Sequence, residues 1–528
     1  MSEGRAWKRL VTLPVRGDLI AGVSVALVLV PQSMAYAELA GLDPVHGLYA
    51  AAVAPLAAAL IGSSPYLQTG PVAVTSLLTL GALSGLSDPF TPQFAALAAL
   101  LALVVGVIRL GVGIVGAGPI AYLMSQPVVA SFTTAAAVLI VASQVPGLMG
   151  VAAEGGNPAV AAAAVLVSPQ DWRFADVLLG LGAIALVLGG RRLSPVFPGA
   201  LVAVVAASGW SAAIGYDGRV VGDISVGLGL HLDLPFGDLR QLLIPGLVIA
   251  LVGFAEPASI ARRYAAEDRR PWNSNREFLG QGLANVAAGV AGGYPVGGSF
   301  SRSALNRLSG AKSRWSGAIT GAAVLALLPV AGLLAPLPSA VLAGLVIAAG
   351  ISLIDVRPIV RYWRWSRPQF VVALATAGAT IGFAPHVERG VLLGVALALA
   401  VHLWRELSVA VPSQLEGDAL HLWPTGVLYF GSAPSLERAV NELVAAHLDV
   451  TRIRIHMGGL GRVDLTGAIT LRDLAEDACA GGVVVEIRDA GPHAARILTN
   501  VLGDISNVTV TVKGETAAEP EAQAPRND

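Results

Sequence analysis

Residues 292–306 read GGYPVGGSFSRSALN, and this stretch decides the fold because it interrupts an otherwise apolar chain. Its glycines and proline break a helix, and its three serines and Arg302 stand where a helix would begin again. Around it, 55% of the 528 residues are hydrophobic and 13% are charged, and the mean hydropathy is +0.69. That composition is typical of a membrane protein. The stretch therefore predicts a helix broken inside the membrane.

The apolar residues form segments of about 17 to 25 residues, the length that crosses a hydrocarbon core about 30 Å thick. We count about fourteen such segments in a transmembrane domain over residues 17–406. Basic residues cluster in alternate connections, such as 189–194, 261–277 and 306–314. If these connections are cytoplasmic, an even number of crossings places both termini in the cytoplasm. We expect a multi-pass protein of the cell inner (plasma) membrane, with residues 1–16 as a cytosolic N-terminus that is not a cleaved signal peptide.

The pattern changes after Glu406. Short β-rich segments follow, such as TRIRIHMGGL and GVVVEIRD, and amphipathic stretches over 433–449, 466–481 and 491–503 lie between them. This alternation predicts a cytosolic α/β domain over 412–513. The bias of residues 514–528 towards Glu, Ala and Pro predicts a disordered tail.

The membrane part matches itself at an offset of 224 residues. At this offset residues 26–37 align with 250–261, and PVAVTS (71–76) aligns with PVGGSF (295–300). Chance is the alternative, because Ala, Leu and Val are abundant. We favour an internal duplication of about seven helices, in which 63–78 and 292–306 are corresponding broken segments.

A helix broken in this way favours the binding of an anion. Glycines followed by serines that open a helix offer free N–H groups and the positive helix end, which is equivalent to about half a unit charge. Arg302 adds a fixed charge, and because a charge in the membrane costs about 2.5 to 3.5 kcal/mol it is usually paired or functional. Glu256 is its expected partner.

Each of these residues also has a structural alternative. Arg302 can be a cation that snorkels from a helix end, and Glu256 can belong to a structural salt bridge. Glu38, Gln32 and Tyr36 are further polar residues in or next to the first apolar segment. Glu38 can mark the water interface at a helix end, and Gln32 and Tyr36 can be polar packing contacts between helices.

Several other functions are excluded. The net charge of −1 does not favour nucleic acid, and Cys479 alone cannot form an internal disulfide. The eight histidines show no metal-ligand spacing. Gly111, Gly113 and Gly116 spell G-x-G-x-x-G, but no strand precedes them. We expect no enzyme activity, cofactor, metal or nucleic-acid partner.

Several motifs, in order along the chain, resemble the sulfate permease (SulP) family of anion transporters. They include VPQSMAYAELAGLDPVHGLY, TGPVAVTSLL, ALVGFAEPASIARRYA and LGQGLANVAAGVAGGYPVGGSFSRSALN. The C-terminal domain resembles the family's STAS domain through its strand and helix order and VDLTGA (463–468). The resemblance implies 7+7 inverted repeats divided into core and gate domains, an elevator-type mechanism, a homodimer and a small inorganic anion as substrate.

The resemblance also implies a site between the amino ends of the third and tenth membrane helices, completed by the first and eighth. Carried over by motif, the substrate-binding residues are Gln32, Tyr36, Val72, Ala73, Ser299, Phe300, Ser301 and Arg302. Glu256, with Glu38 in reserve, is the candidate for proton coupling, because an ionised Glu256 would cancel the charge of Arg302. Sodium-coupled bicarbonate members carry a hydroxyl one turn after the acid, where this chain has Ile260, which argues against a sodium site.

We therefore expect proton-coupled sulfate uptake by a secondary active transporter. The alternatives are a sodium-coupled bicarbonate or dicarboxylate transporter and a non-transporting anion sensor that signals through the STAS domain. A nucleobase permease would need a carboxylate where this chain has Arg302. In the STAS domain we expect Thr466 to be a helix N-cap rather than a phosphorylated residue.

Deletion of residues 412–528 should lower stability or assembly more than it changes substrate selectivity, because the expected site lies wholly in the membrane domain. Thermal unfolding and particle mass in detergent would measure the first effect, and uptake with competing anions the second. A truncated protein with a changed anion preference would contradict the prediction.

Overall fold

The computed structural model describes residues 14–512 except 123–124, 153–155, 195–196, 223, 225–226, 228, 230–232, 408 and 448. Most of the predicted N-terminal segment and the predicted tail lie outside the described residues. The chain divides between Ala398 and Leu399 into two compact units. The first is helical and the second contains the main sheet.

Sixteen α-helices are described up to Glu406. They are α1 (Arg16–Leu39), α2 (Pro44–Ile61), α3 (Ala73–Leu83), α4 (Pro92–Ile114), α5 (Gln126–Met149), α6 (Pro158–Leu166), α7 (Phe174–Leu193), α8 (Gly199–Ile214), α9 (Leu239–Glu267), α10 (Ser274–Val290), α11 (Phe300–Leu308), α12 (Trp315–Leu327), α13 (Ser339–Ile351), α14 (Arg357–Trp365), α15 (Arg367–Gly382) and α16 (Val387–Glu406). Eight helical segments are long and apolar enough to cross a membrane. These spans, with the shorter helices between them, confirm the predicted helical membrane architecture.

The same order of elements occurs twice. In each half, two helices are followed by a two-residue strand and a short helix: α1, α2, β1 (Thr69–Gly70) and α3, then α9, α10, β2 (Gly297–Gly298) and α11. The two strands pair antiparallel, so corresponding elements run in opposite directions, as an inverted repeat requires.

The predicted register of the repeat is wrong at the broken segments. The residues that cap α3 and α11 are Val72 and Ser299, which are 227 residues apart, so 71–76 does not correspond to 295–300 at the offset of 224. The separation of corresponding elements changes along the repeat, from 228 residues at the ends of α1 and α9 to 230 at the starts of α2 and α10 and 227 at the two caps, so a gap-free comparison cannot follow it.

The helices of the first unit pack in two groups. One contains α1, α2, α4, α10 and α12, and the other contains α5, α7, α13 and α15. The closest packing joins α4 to α10, where a Cβ added to Gly106 would lie 2.8 Å from the backbone nitrogen of Val286, and one added to Gly289 would lie 2.6 Å from the carbonyl oxygen of Ala99. Small residues thus bring these two backbones into contact.

The second unit is an α/β domain. Its strands are β3 (Ser413–Glu416), β4 (Ala419–Leu422), β5 (Gly426–Leu428), β6 (Arg452–His456), β7 (Leu460–Val463), β8 (Val484–Ala490) and β9 (Val508–Val512), and its helices are α17 (Ala433–Ala446), α18 (Leu465–Ala480) and α19 (Pro492–Leu502). One sheet has the order β3-β4-β6-β8-β9. It is parallel except for β3. Leu420, Ile453 and Ile487 pack in its core.

Two details of this unit differ from the prediction. The hairpin of β3 and β4 was not predicted, although Gly417 at its turn has a φ of 63° that favours glycine. Thr466 is not the N-cap of α18. Asp464 caps the helix by accepting a hydrogen bond from the N–H of Gly467 (2.7 Å), which leaves Thr466 exposed inside the first turn.

A pair of histidines lies on this sheet. Nδ1 of His421 is 3.1 Å from Nε2 of His456, and both rings stack near the indole of Trp423. Burial, followed by the neighbouring charges of His456 and Arg454, lowers the pKa of His421. Burial also lowers the pKa of His456, although Asp489 acts in the opposite direction. Both rings are therefore held in their neutral form.

The second unit should lose stability on acidification. The unfolded chain takes up protons near the ordinary histidine pKa of about 6.5, whereas the folded pair takes them up only at lower pH. The contribution to stability is therefore full above that value and declines as the pH falls below it. Hydrogen exchange of residues 409–512 in the full chain at pH 7.5 and 5.5 would measure the loss. His456→Gln should reduce this pH dependence, and an equal dependence in the variant would contradict the assignment.

Candidate functional site

The two broken segments meet in a short backbone ribbon. Thr69 pairs with Gly298 and Gly70 with Gly297. The ribbon continues through Gln68, whose carbonyl oxygen accepts from the N–H of Ser299 (3.1 Å) and whose N–H donates to Oγ of Ser303 (2.9 Å). These bonds satisfy backbone groups that have no helix to bond to, and they fix the starts of α3 and α11 side by side.

The first backbone N–H groups of α3 and of α11 differ in whether they already have a hydrogen-bond acceptor. Val72 offers no side-chain hydrogen bond to α3, and the first amides of a helix have no intrahelical partner. At α11, Oε1 of Glu256 accepts from the N–H of Phe300 (3.2 Å), and Oγ of Ser299 accepts from the N–H of Arg302 (3.5 Å). The amide end of α3 is therefore open, whereas a carboxylate already lies at the end of α11.

Arg302 is buried between the two halves, with 1% of its surface exposed. Its Nη1 donates to Oε1 of Gln32 (3.3 Å) and its Nη2 to the carbonyl oxygen of Pro71 (2.7 Å). The predicted pairing with Glu256 is wrong, since no ion pair between them is formed in the described part of the chain. The reason is geometric: Glu256 reaches the amide end of α11, while the guanidinium group extends towards α1 and the residue before Val72.

The other predicted site residues lie near Arg302 or at the starts of α3 and α11, with the exception of Glu38. Ser301, with its Oγ 3.2 Å from Oγ of Ser299, lies beside Arg302, and Tyr36 is buried one helical turn after Gln32. Ala73 begins α3, and Phe300 begins α11 with 40% of its surface exposed. Glu38 has different charged neighbours, Arg219 and Asp43. The structure thus gathers every predicted substrate-binding residue and Glu256, but not Glu38.

A cavity of about 330 Å³ reaches Arg302. It lies between α1 and α11 on one side and α7 and α8 on the other, so it separates the two helix groups. Gln32, Ser301 and Arg302 form part of its wall, and Arg191 at the end of α7 adds a second cation. Sequence reasoning missed Arg191 because the run GGRRLS indicated only a basic connection.

The opposite end of α3 has no such gap. A Cβ added to Gly81 would overlap the carbonyl oxygen of Pro385. Nδ1 of His386 is 3.0 Å from the carbonyl oxygen of Gly81. The connection between α15 and α16 therefore packs tightly on the carboxyl end of α3, while the cavity lies at the amino end of α11 and along its length.

Arg109 on α4 is a second buried cation that sequence reasoning missed. It is fully buried and donates to the carbonyl oxygens of Ala250 (3.1 Å), Ile249 (3.2 Å) and Val296 (3.0 Å). It forms no ion pair within the described residues. It thereby ties α9, which carries Glu256, to the loop that leads into β2. A charge inside an apolar span is itself a signal of a paired or functional residue, but sequence reasoning applied that rule only to Arg302.

The comparisons with known proteins identify the family of the chain. The profile of the sulfate permease family matches residues 15–376. A probable sulfate transporter of Mycobacterium tuberculosis is 37% identical over 73% of this chain and 70% of its own length. Probable sulfate transporter 4.2 of Arabidopsis thaliana is 31% identical over 91% of this chain and 77% of its own length.

Solved structures show the same fold. The murine anion transporter Slc26a9 in its inward-facing state superposes with a TM-score of 0.86 at 20% identity, over 96% of this chain and 92% of its own. The transmembrane domain of a cyanobacterial bicarbonate transporter, BicA, gives a TM-score of 0.62 at 24% identity, over 73% of this chain and 98% of its own. With its apolar spans and its profile match, the chain is a multi-pass membrane protein that belongs to the sulfate permease family.

Proposed function

We propose that this protein is a secondary active transporter of inorganic anions, with sulfate as its favoured substrate. The observation that carries the proposal is the buried guanidinium group of Arg302, which lies where the amide ends of α3 and α11 meet and forms no ion pair among the described residues. The names of the sulfate transporters among its relatives favour sulfate over other oxyanions.

The site has the donors that an oxyanion needs. Open amides of α3 and the positive helix ends favour negative charge. The planar fork of Arg302 suits two oxygens of one anion, and its Nε has no hydrogen-bond partner among the described groups. The hydroxyls of Ser301 and Tyr36 add neutral donors. A tetrahedral dianion would therefore find several donors on different sides.

The two sides of the site support alternating access. The cavity between the helix groups reaches the anion site from the side of Arg191, the basic side that the positive-inside rule makes cytoplasmic. Gly81 and His386 close the other end of α3. We infer an elevator-type movement in which the group containing α1, α4 and α10 carries the site past the group containing α5, α7 and α13. The positive-inside rule favours an inner-membrane orientation with both termini cytoplasmic, and the resemblance to the family implies a homodimer.

Glu256 is the proposed coupling group. Its ionised carboxylate holds the N–H of Phe300 and so occupies a position that an anion would use. Protonation removes that charge and weakens the hydrogen bond, which frees the amide end of α11. An anion that binds the protonated form better must also promote proton uptake. Ile260, one turn later and buried, offers no side-chain oxygen to a sodium ion.

Replacing Arg302 with alanine should abolish sulfate binding or weaken it at least about tenfold, because one charge-assisted hydrogen bond is worth about 1.5 to 3 kcal/mol. Arg302→Lys should not restore binding, since an ammonium group lacks the planar fork. Labelled sulfate binding to purified protein would measure both variants. Arg240→Ala, on an exposed turn of α9, is the control for loss of charge. Wild-type affinity in folded Arg302→Ala would exclude the assignment.

Glu256→Gln should abolish sulfate accumulation driven by an inward proton gradient while sulfate exchange survives. The amide keeps the size of the side chain but cannot be protonated. Uptake and counterflow in proteoliposomes under controlled pH and sodium gradients would separate the two activities, with Glu38→Gln as the matched variant.

Two outcomes would redirect the proposal. If Glu256→Gln still concentrates sulfate and Glu38→Gln does not, the coupling role belongs to Glu38. If the wild type requires sodium, the sodium-coupled bicarbonate or dicarboxylate alternative replaces proton coupling.

A further inference from the structure

A second polar cavity lies away from the anion site. Its volume is about 210 Å³, and it lies where α2 and α9 end and α10 and α12 begin. These helix ends belong to connections rich in Arg and Lys, on the side of the membrane unit predicted to be cytoplasmic. The aromatic side chains in its wall are Tyr66, Tyr264 and Trp272. Such residues are typical of the level of the lipid headgroups.

The lining of this pocket is strongly basic. Its cationic residues are Arg270, Arg276, Lys312 and Arg314, and its only acidic lining residue in the described part is Asp268. Asp268 is already engaged, because it accepts from Nη2 of Arg307 (2.9 Å) and from the hydroxyl of Tyr66 (2.6 Å). Asp18 lies behind the wall, where it accepts from the N–H of Lys312 (2.7 Å). The four cations of the lining still outnumber the acids in contact with it.

Two of the cations are held side by side. Nη2 of Arg276 donates to the carbonyl oxygen of Ile61 (3.1 Å), and both Arg276 and Arg314 approach the carbonyl oxygen of Gly62 (3.5 Å each). Burial, followed by the like charge of Arg276, lowers the pKa of Arg314. The carboxylate of Glu277 is close by, but it is buried and accepts from the N–H groups of Ser63 and Ser64 and from the indole of Trp272. An anion in the pocket would relieve the repulsion between the two guanidinium groups.

We propose that this pocket binds the phosphate group of an anionic phospholipid headgroup. A phosphate offers acceptor oxygens to several cations at once, and basic pockets between membrane helices on the cytoplasmic side suit such headgroups. The aromatic wall and the position at four helix ends favour a lipid over a freely dissolved phosphate, which shares the same chemistry.

The pocket is connected to the anion site by one short segment. Residues 62–66 form part of its wall, and the chain then enters β1 at Thr69. The carbonyl oxygen of Tyr66 in this segment accepts from Nδ2 of Asn306 on α11 (3.0 Å). A bound headgroup would therefore stabilise the segment that places both helix starts.

The test uses the purified full chain in nanodiscs of phosphatidylcholine alone or with phosphatidylglycerol, with Tm as the readout. Phosphatidylglycerol should raise the Tm of the wild type by at least about 2 °C. The variant Arg270→Gln/Lys312→Gln removes two exposed cations of the pocket and should lose at least half of that rise. Arg269→Gln/Arg357→Gln removes two exposed arginines of the same basic side that do not line the pocket, and it should keep the whole rise. Arg302→Ala should keep it too, which separates this pocket from the substrate site.

Adding inorganic phosphate to the phosphatidylcholine discs identifies the source. A rise in Tm with inorganic phosphate but not with phosphatidylglycerol, lost in Arg270→Gln/Lys312→Gln, would support a phosphate site that takes the free ion instead of the lipid. The proposal is overturned if neither addition raises Tm, if Arg270→Gln/Lys312→Gln keeps the full rise, or if the control variant loses as much as the pocket variant.

Discussion

Two pairs of backbone residues, Thr69–Gly70 against Gly297–Gly298, hold the membrane unit together at its centre. A peptide group left without a hydrogen bond inside the hydrocarbon region costs several kcal/mol, so a helix can be broken there only if the freed groups find partners. The rest of the unit supplies them. Gln281 donates to Oγ1 of Thr69 (2.7 Å), and Asn285 both accepts from and donates to the backbone of Val296. Arg109 depends on the same arrangement, since Val296 is also one of its acceptors.

The architecture was predictable because it follows from length and composition. Apolar segments long enough to cross a bilayer have few alternatives, and glycines with a proline inside such a segment mark a break. Arg302 was predictable for a related reason, since a charge in an apolar surrounding is usually paired or functional. The broken segment around Val72 was visible in the sequence, and the resemblance to the sulfate permease family then added the expected binding roles of Gln32, Tyr36 and Val72.

Contacts that depend on helix rotation were not predictable. Glu256 and Arg302 are 46 positions apart, and whether they meet is set by the direction in which each side chain leaves its helix. Glu256 bonds the N–H of Phe300 instead. Arg109 carried the same signal as Arg302, a charge inside an apolar span, but its carbonyl partners on α9 and before β2 could not be read from the sequence. Arg191 lies in a basic connection, where an arginine is ordinary. The error in the repeat arose because the separation of corresponding elements changes along the chain, which a gap-free comparison cannot accommodate.

The shortness of α3 and α11 also has an electrical consequence. With 11 and 9 residues and a rise of about 1.5 Å per residue, each covers about half of a hydrocarbon core of about 30 Å. An ion held at their amino ends sits part-way through the membrane potential, where each elementary charge moved across 100 mV involves about 2.3 kcal/mol. A bare dianion entering a cell with a negative interior would bear twice that opposing work. In the proposed elevator movement Arg302 would move together with the ion. Its positive charge would then offset part of the charge of the dianion, and the voltage would oppose the movement of the pair less than that of the ion alone.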